Sequence, residues 1–542
     1  MVSADAMMIG IAAGVAVDVW RGSGWTWWSF GLLWRLSVRF CRWAARCCRK
    51  PPQTFGAARW LRLREAARLG LLGTSGLIVG KLGKRLLRFA DVEGSVVVFA
   101  PQGAGKGVGV VVPNLLTYPG SVICTDPKGE NFAVTARRRR AFGPVYRVDV
   151  GDPDRSHRFN PLDVVSRDLL RAVDDCARLA ELLMPKDARD EASHWRNRSV
   201  SILTGLLLWV LEKHGNEPER CTLAAVHEIV TSPSRVLQDE LKAMMASGQF
   251  VVRSEAGLLA NSLATEEGLN LLSNISKGTA IWAEGRVLGR LSRASDFELE
   301  RDVVGRVATL FVSVPEDMKA VYAPFMRVMV GLGLHAVARA GKAGVGEARP
   351  LFLLDEAAAL GHIPELEDGM GHLRAYARAV LIFQDLAQLQ STYRKWRSLL
   401  ANAACQVFFG VNDQDTAELV SRMIGETTVE APTFGVNVGA DTVLAHHQNV
   451  GVGQVGRRLM QASEVLRMAR TEALVFLRSA AHPIRATRVR YYAEREFAGL
   501  WDTWRDGAAS PAPLLLELKP LRIEQKPLAL EYRASASEYY VR

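Results

Sequence analysis

Ser95-Val-Val-Val-Phe-Ala-Pro-Gln-Gly-Ala-Gly-Lys-Gly107 decides the fold. Its first six residues are apolar and β-rich, which predicts a short buried strand. Pro101–Gly107 is a glycine-rich turn carrying one lysine, and a helical stretch begins near Gly107. Strand, glycine-rich loop with lysine, then helix is the context a P-loop requires. A nucleotide polyphosphate needs several backbone N–H groups converging on it beside a helix N-terminus. Gly103 and Gly105 let the backbone approach without a Cβ, and Lys106 supplies an ammonium for the β/γ-phosphates. Gly103, Ala104, Gly105, Lys106, Gly107 and Val108 are therefore the expected nucleotide-binding residues. The pattern G-x-x-x-x-G-K-[ST] departs at two points, Ala100 and Gly107. Gly107 removes the hydroxyl that usually reaches Mg²⁺, so water or another side chain must replace it. A dinucleotide fingerprint fails at Val108 and Val110, which argues against a Rossmann dehydrogenase. The competing reading of the loop is a plain turn with an exposed lysine.

Two later strands end in polar residues. Leu351-Phe-Leu-Leu354 runs into Asp355 and Glu356, at the carboxyl end of a strand, where open α/β sheets bind ligands. In a P-loop enzyme the first acid holds Mg²⁺ and the second orients and deprotonates water. The simpler alternative has Asp355 capping a helix that starts at Ala357. Ala379–Phe383 ends in Gln384, placed to sense a γ-phosphate or to be a solvated strand end. Between these strands lie Arg374 and Arg378. Either is an arginine-finger candidate across a subunit interface, against the plainer reading of a solvated helix face.

The rest of the chain is α/β around a helical middle. Strands are expected near 95–100, 121–126, 144–150, 307–314, 351–355, 379–384, 405–411 and 473–477. From about Val164 to Ser295 helical periodicity replaces strand signals; the apolar run Trp195–Leu211 predicts a buried helix. Residues 427–456 read as a loop or hairpin excursion. The expected division is 1–50 (membrane-proximal or membrane-anchoring), 51–163 and 296–510 (two parts of a nucleotide-binding domain), 164–295 (all-α insert) and 511–542 (tail).

The 542 residues carry a formal charge of +11, unevenly spread. Residues 1–90 hold 15 Lys/Arg against 3 Asp/Glu, whereas the other 452 hold 53 against 54. A uniformly basic nucleic-acid-coating protein is thus excluded. Seven of the 13 tryptophans lie within residues 1–60, and Trp favours membrane interfaces. The apolar stretch Ala6–Val17 spans only about 18 Å at ~1.5 Å per residue, short of the ~30 Å of a bilayer core. Extending Trp25–Trp34 into a span buries Arg35 and Arg39 at ~2.5–3.5 kcal/mol each. Membrane association at a cytoplasmic face is expected here, without a clean span. Seven scattered cysteines with no CxxC pair fit reduced thiols.

With these motifs together, the chain resembles the type IV coupling proteins of the TraG/TraD class over roughly Phe55 to Arg490. The carrying segments are Phe55-Gly-Ala-Ala-Arg59, Ala100–Gly109, Pro113-Asn-Leu-Leu116, Asp126-Pro-Lys-Gly-Glu130, Phe159-Asn-Pro-Leu162, Leu354-Asp-Glu-Ala357 and Phe383-Gln-Asp-Leu-Ala-Gln-Leu389. Glycine after the P-loop lysine is familiar in that family. The resemblance implies a RecA-like motor ATPase with ATP and Mg²⁺, assembled as a homo-hexamer at the bacterial inner membrane. It implies DNA as cargo, single-stranded and carried with a relaxase, and type IV secretion channel components as partners. It further implies Lys106 on phosphate, Asp355 on metal, and Glu356, Gln384 and Arg374 as catalytic residues. Asp126, Lys128 and Glu130 match a motif beside the nucleotide, and the insert resembles a substrate-recognition domain. Two other functions compete: a non-motor receptor that recruits protein effectors, and an FtsK-like double-stranded DNA translocase, disfavoured by the near-neutral body and the insert.

Overall fold

The computed structural model describes residues 54–90, 94–184, 194–341, 348–367, 374–436 and 448–504. The expected membrane-proximal segment (1–50) and tail (511–542) lie outside the described residues. The chain divides into two compact units, residues 59–424 with 460–542, and residues 1–58 with 425–459.

The strands are β1 (Leu77–Leu82), β2 (Arg85–Phe89), β3 (Val96–Phe99), β4 (Val122–Asp126), β5 (Val145–Asp149), β6 (Thr309–Ser313), β7 (Leu351–Leu354), β8 (Arg378–Phe383), β9 (Cys405–Phe408), β10 (Glu426–Val436), β11 (Gln448–Arg458), β12 (Glu472–Leu477) and β13 (Ile484–Thr487). Eleven of them form the sheet of the larger unit, in the order β2-β1-β13-β12-β9-β3-β8-β7-β4-β6-β5. From β9 to β5 every neighbouring pair is parallel. β12, β13, β1 and β2 extend one edge antiparallel. Parallel strands are covered on both faces, so they read as unbroken apolar runs; β3, β4, β6, β7 and β8 are buried throughout.

The main helices are α1 (Gly107–Thr117), α2 (Glu130–Arg140), α3 (Leu169–Leu183), α4 (His194–His214), α5 (Leu223–Thr231), α6 (Ser234–Met245), α7 (Phe250–Ser262), α8 (Glu266–Thr279) and α9 (Lys319–Ala340). Helices α3–α8 form the helical middle, with no strand among the described residues between β5 and β6. Three of them start at side-chain caps, Asp168, Thr222 and Thr265, whose oxygens accept a backbone N–H from the first turn. α3 turns Ala172, Cys176, Leu179 and Leu183 inward at helical spacing. α4 is buried from Ser199 to Leu211 apart from exposed Ser201, as its apolar run predicts.

α9 is the central helix. Among the described residues, Glu316–Ala340 is the one helix long and apolar enough to cross a membrane, and 72% of its apolar window is buried inside the fold. Here it is a core element. The fold is the expected α/β, RecA-like architecture. β1, β2 and β13 are strands that the sequence reading did not place. In the smaller unit, β10 and β11 pair from Glu426↔Arg458 to Val436↔Gln448, with Ala57 bridged to Thr427. The excursion at 427–456 is thus a hairpin. Cys124, Cys176, Cys221 and Cys405 are free and buried.

Candidate active site

Strand order sets the site. β8 lies between β3 and β7, so the loop after β3 and the acids after β7 sit two strands apart, roughly 10 Å at the backbone. A lysine and a facing carboxylate side chain together cover that distance. Lys106 Nζ lies 2.9 Å from Asp355 Oδ1 and 3.0 Å from Glu356 Oε1. All three side chains are largely buried, with 11–14% of their surface exposed.

Local backbone explains how each group gets there. Gly103 (φ +74) and Gly105 (φ +81) turn through the left-handed region, which glycine enters without a Cβ clash. Lys106 is already helical at φ −55, ψ −45, and the first turn of α1 is wide, of π type. Ala100, where the consensus has glycine, is fully buried among the core side chains. At Gly107 a Cβ would meet no heavy atom within 4 Å, so nothing steric excludes a side chain there.

Glu356 has φ 58 and ψ 58. It is the one non-glycine residue with positive φ among the described residues. Such a conformation costs of order 1–3 kcal/mol and clusters at functional sites. Asp355 does not cap the following turn, whose N-cap position is Glu356 and carries no side-chain cap; Thr125 Oγ1 donates to the Asp355 backbone carbonyl at 3.1 Å. The Asp355 Oδ1 atom is buried and, although paired in charge with Lys106, makes no aligned hydrogen bond.

A cavity of about 220 Å³ opens at this point. Gly103, Gly105, Lys106, Gly107, Val108, Asp355 and Glu356 line it, together with Asp126, Lys128 and Glu130. Asp126 accepts from the Asn131 and Phe132 N–H groups at 3.2 and 2.8 Å. Burial pushes its carboxyl up to about 6, although those hydrogen bonds pull it down. Three expected residues are absent from the lining. Ala104 packs instead towards Gly410, where a Cβ would sit 3.1 Å from its own. Gln384 directly follows β8, half-buried, its N–H donating to Gln388 Oε1 at 3.0 Å. Arg374 is exposed in the turn before β8, and its carbonyl accepts from Arg349. Arg378 is a buried residue of β8, so the solvated-helix reading of that arginine is corrected.

Three neighbours escaped the sequence reading. Glu316, in the turn after β6, accepts from Gln102 Nε2 at 2.9 Å and faces Lys128 Nζ at 3.4 Å. Lys319, the first residue of α9, pairs with the second oxygen of Glu356. Arg488 lies against the loop: a Cβ on Gly105 would come within 2.3 Å of its guanidinium. That guanidinium stacks 4.8 Å over the Phe409 ring. For Glu316 a signal existed, because β6 was legible and its carboxyl end faces the ligand side of the sheet.

The sequence profile described as "Type IV secretory system Conjugative DNA transfer" matches residues 59–511. The chain belongs to that family. It is a coupling protein of conjugative DNA transfer, with its P-loop and acid pair inside the matched region. Protein VirD4 of Rhizobium radiobacter is 28% identical over 482 residues, covering 85% of this chain and 67% of the relative. Conjugal transfer protein TraG of Escherichia coli is 30% identical over 455 residues, covering 76% and 71%. Among solved structures, the plasmid coupling protein TrwB in complex with ADP and Mg²⁺ aligns with a TM-score of 0.59 at 18% identity, over 83% of this chain and 98% of that one. At that identity the likeness speaks for the fold, an ATPase-type P-loop fold within the coupling-protein family.

Proposed function

We propose that this coupling protein hydrolyses Mg-ATP to drive DNA, carried with a relaxase, into a type IV secretion channel. The observation that carries the reading is the convergence of Lys106, Asp355 and Glu356 on one cavity at the carboxyl ends of β3 and β7. The relatives' role in conjugal transfer and the ADP and Mg²⁺ bound by TrwB support it.

In this reading Gly103–Val108 cradle the phosphates through backbone N–H groups, and Lys106 leaves the carboxylates for the β/γ-phosphates. Glu356 accepts a proton from water as its oxygen bonds to the γ-phosphorus; the bond to the bridging oxygen breaks and ADP leaves. Gln384 orients the γ-phosphate or the water from the strand between the two motifs. Arg374, exposed and outside the cavity, acts in trans as the finger of a neighbouring subunit in a homo-hexamer. Asp355 fits Mg²⁺, because its buried Oδ1 has no aligned hydrogen bond and Mg²⁺ takes one or two carboxylates plus waters and phosphates. A bound Mg²⁺ would offset charge on the β/γ-phosphates. Residues 51–163 and 296–510 act as the nucleotide-binding domain and 164–295 as a cargo-recognising insert. The basic segment 1–50 holds the protein at the cytoplasmic face of the inner membrane.

DNA-stimulated ATP hydrolysis tests the motor against a receptor that only recruits cargo. The expected result is stimulation by single-stranded DNA that weakens steeply with salt. Lys106→Ala is expected to reduce turnover at least ~10³-fold with the fold intact by circular dichroism. Hydrolysis unaffected by DNA would favour the receptor, and full turnover in Lys106→Ala would sink the P-loop assignment.

A further inference from the structure

The turn between β6 and α9 has no task in the chemistry above, yet it forms part of the site. Glu316 holds the turn to the P-loop residue Gln102 and faces Lys128. Three residues later Lys319 reaches Glu356 Oε2, while Lys106 holds Oε1 at 3.0 Å. Glu356 thus sits between two ammonium groups, with Asp355 sharing Lys106.

Helix stability does not account for a lysine in that position. Lys319 follows directly on the turn Glu316–Met318, whose acids Glu316 and Asp317 already meet the positive end of the helix. Its ammonium nevertheless turns to Glu356, 37 positions away. Lys319 is also only 22% exposed in its side chain, and burial, then the nearness of Lys106, holds its ammonium below the usual lysine range. The arrangement does suit an incoming anion. Both ammonium groups rest on carboxylates, and an incoming polyphosphate competes with those carboxylates for them.

Geometry says which phosphate. In the nucleotide reading the Gly103–Val108 backbone takes the inner phosphates and Lys106 the β/γ pair, so Asp355 and Glu356, which both touch Lys106, flank the terminal one. A cation resting on the far oxygen of Glu356 is therefore on the γ side. We propose that Lys319 reads the γ-phosphate: it rests on Glu356 until a triphosphate seats, then bridges Glu356 and the terminal phosphoryl group. Its three N–H donors allow both contacts at once, and a diphosphate is one phosphoryl group too short to make the second. Glu356, relieved of Lys106 and partly of Lys319, then accepts the water proton. α9 joins this turn to the helical middle, where Arg327 on its buried face donates to the Leu182 carbonyl of α3 at 2.7 Å. The proposal rests on the nucleotide reading of the cavity.

The test is the ratio of two affinities in the full chain with Mg²⁺, for ADP and for a non-hydrolysable ATP analogue. Lys319→Ala is expected to leave ADP binding within about twofold and to weaken the triphosphate analogue about ten- to a hundredfold, the scale of one charged hydrogen bond. Lys319→Arg, which keeps the charge and guards against a folding defect, is expected to recover most of the loss. Lys106→Ala is expected to weaken both ligands. Equal weakening of both ligands by Lys319→Ala, or of neither, overturns the role of Lys319 while the nucleotide site stands. Failure of the unmodified protein to bind either ligand removes the site and this proposal together.

Discussion

The parallel and antiparallel portions of the sheet share one hydrogen-bonded ladder but differ in what their ends collect. β3, β7, β4 and β6 run in one direction, so their carboxyl ends open on the same side. Lys106, Asp355, Asp126 and Glu316 follow those ends and gather there. The antiparallel strands alternate in direction and cannot pool side chains in that way. Arg488, one residue past β13, is the exception that reaches Gly105. Burial differs too: β7 is buried throughout, whereas β13 alternates between buried and exposed. One portion is packed from both faces and carries the charges of the site; the other closes an edge.

Core truncation gives the largest expected contrast between them. Leu353 in β7 is fully buried two residues before Asp355. Leu353→Ala is expected to cost about 2–5 kcal/mol, read as a lowered denaturation midpoint. Arg485 on β13 is 48% exposed and pairs with Glu472 at 2.9 Å. Arg485→Ala is expected to cost under about 1 kcal/mol. Similar losses for the two would erase the distinction.

A smaller effect sharpens it through charge. Asp126 ends a parallel strand, and burial raises its carboxyl from 3.8 to about 6. The folded state therefore holds a proton there that the unfolded state releases. This group's contribution to stability is full below pH ~4 and is lost as pH rises through about 6. Asp126→Asn is expected to remove that slope, measured as denaturant midpoints across pH 4 to 7. An unchanged slope would mean that Asp126 is better solvated than its burial implies.

Legibility in the sequence follows the same division. The parallel strands are unbroken apolar runs, so 95–100, 121–126, 144–150 and 351–355 were readable within a residue or two of β3, β4, β5 and β7. β2 and β13 mix exposed arginines with buried residues, and Ile484–Thr487 is too short to show a period. The P-loop and acid pair were readable because each is local: a glycine turn with lysine, and two acids at a strand end. Lys319 was not, because its partner Glu356 is 37 positions away and only the parallel packing of β6, β4 and β7 brings the two together. The strain at Glu356 was equally hidden, since glutamate carries no local signal for positive φ.

The most direct test of the site is Glu356→Gln, which keeps the shape and removes the base. ATP binding and single-turnover hydrolysis are measured side by side in the full chain with Mg²⁺. The expected result is binding within a few-fold of the unmodified protein and hydrolysis slower by roughly 10²–10⁴-fold. Hydrolysis at the unmodified rate would contradict the account, because the residue held between Lys106 and Lys319 would then have no part in the chemistry.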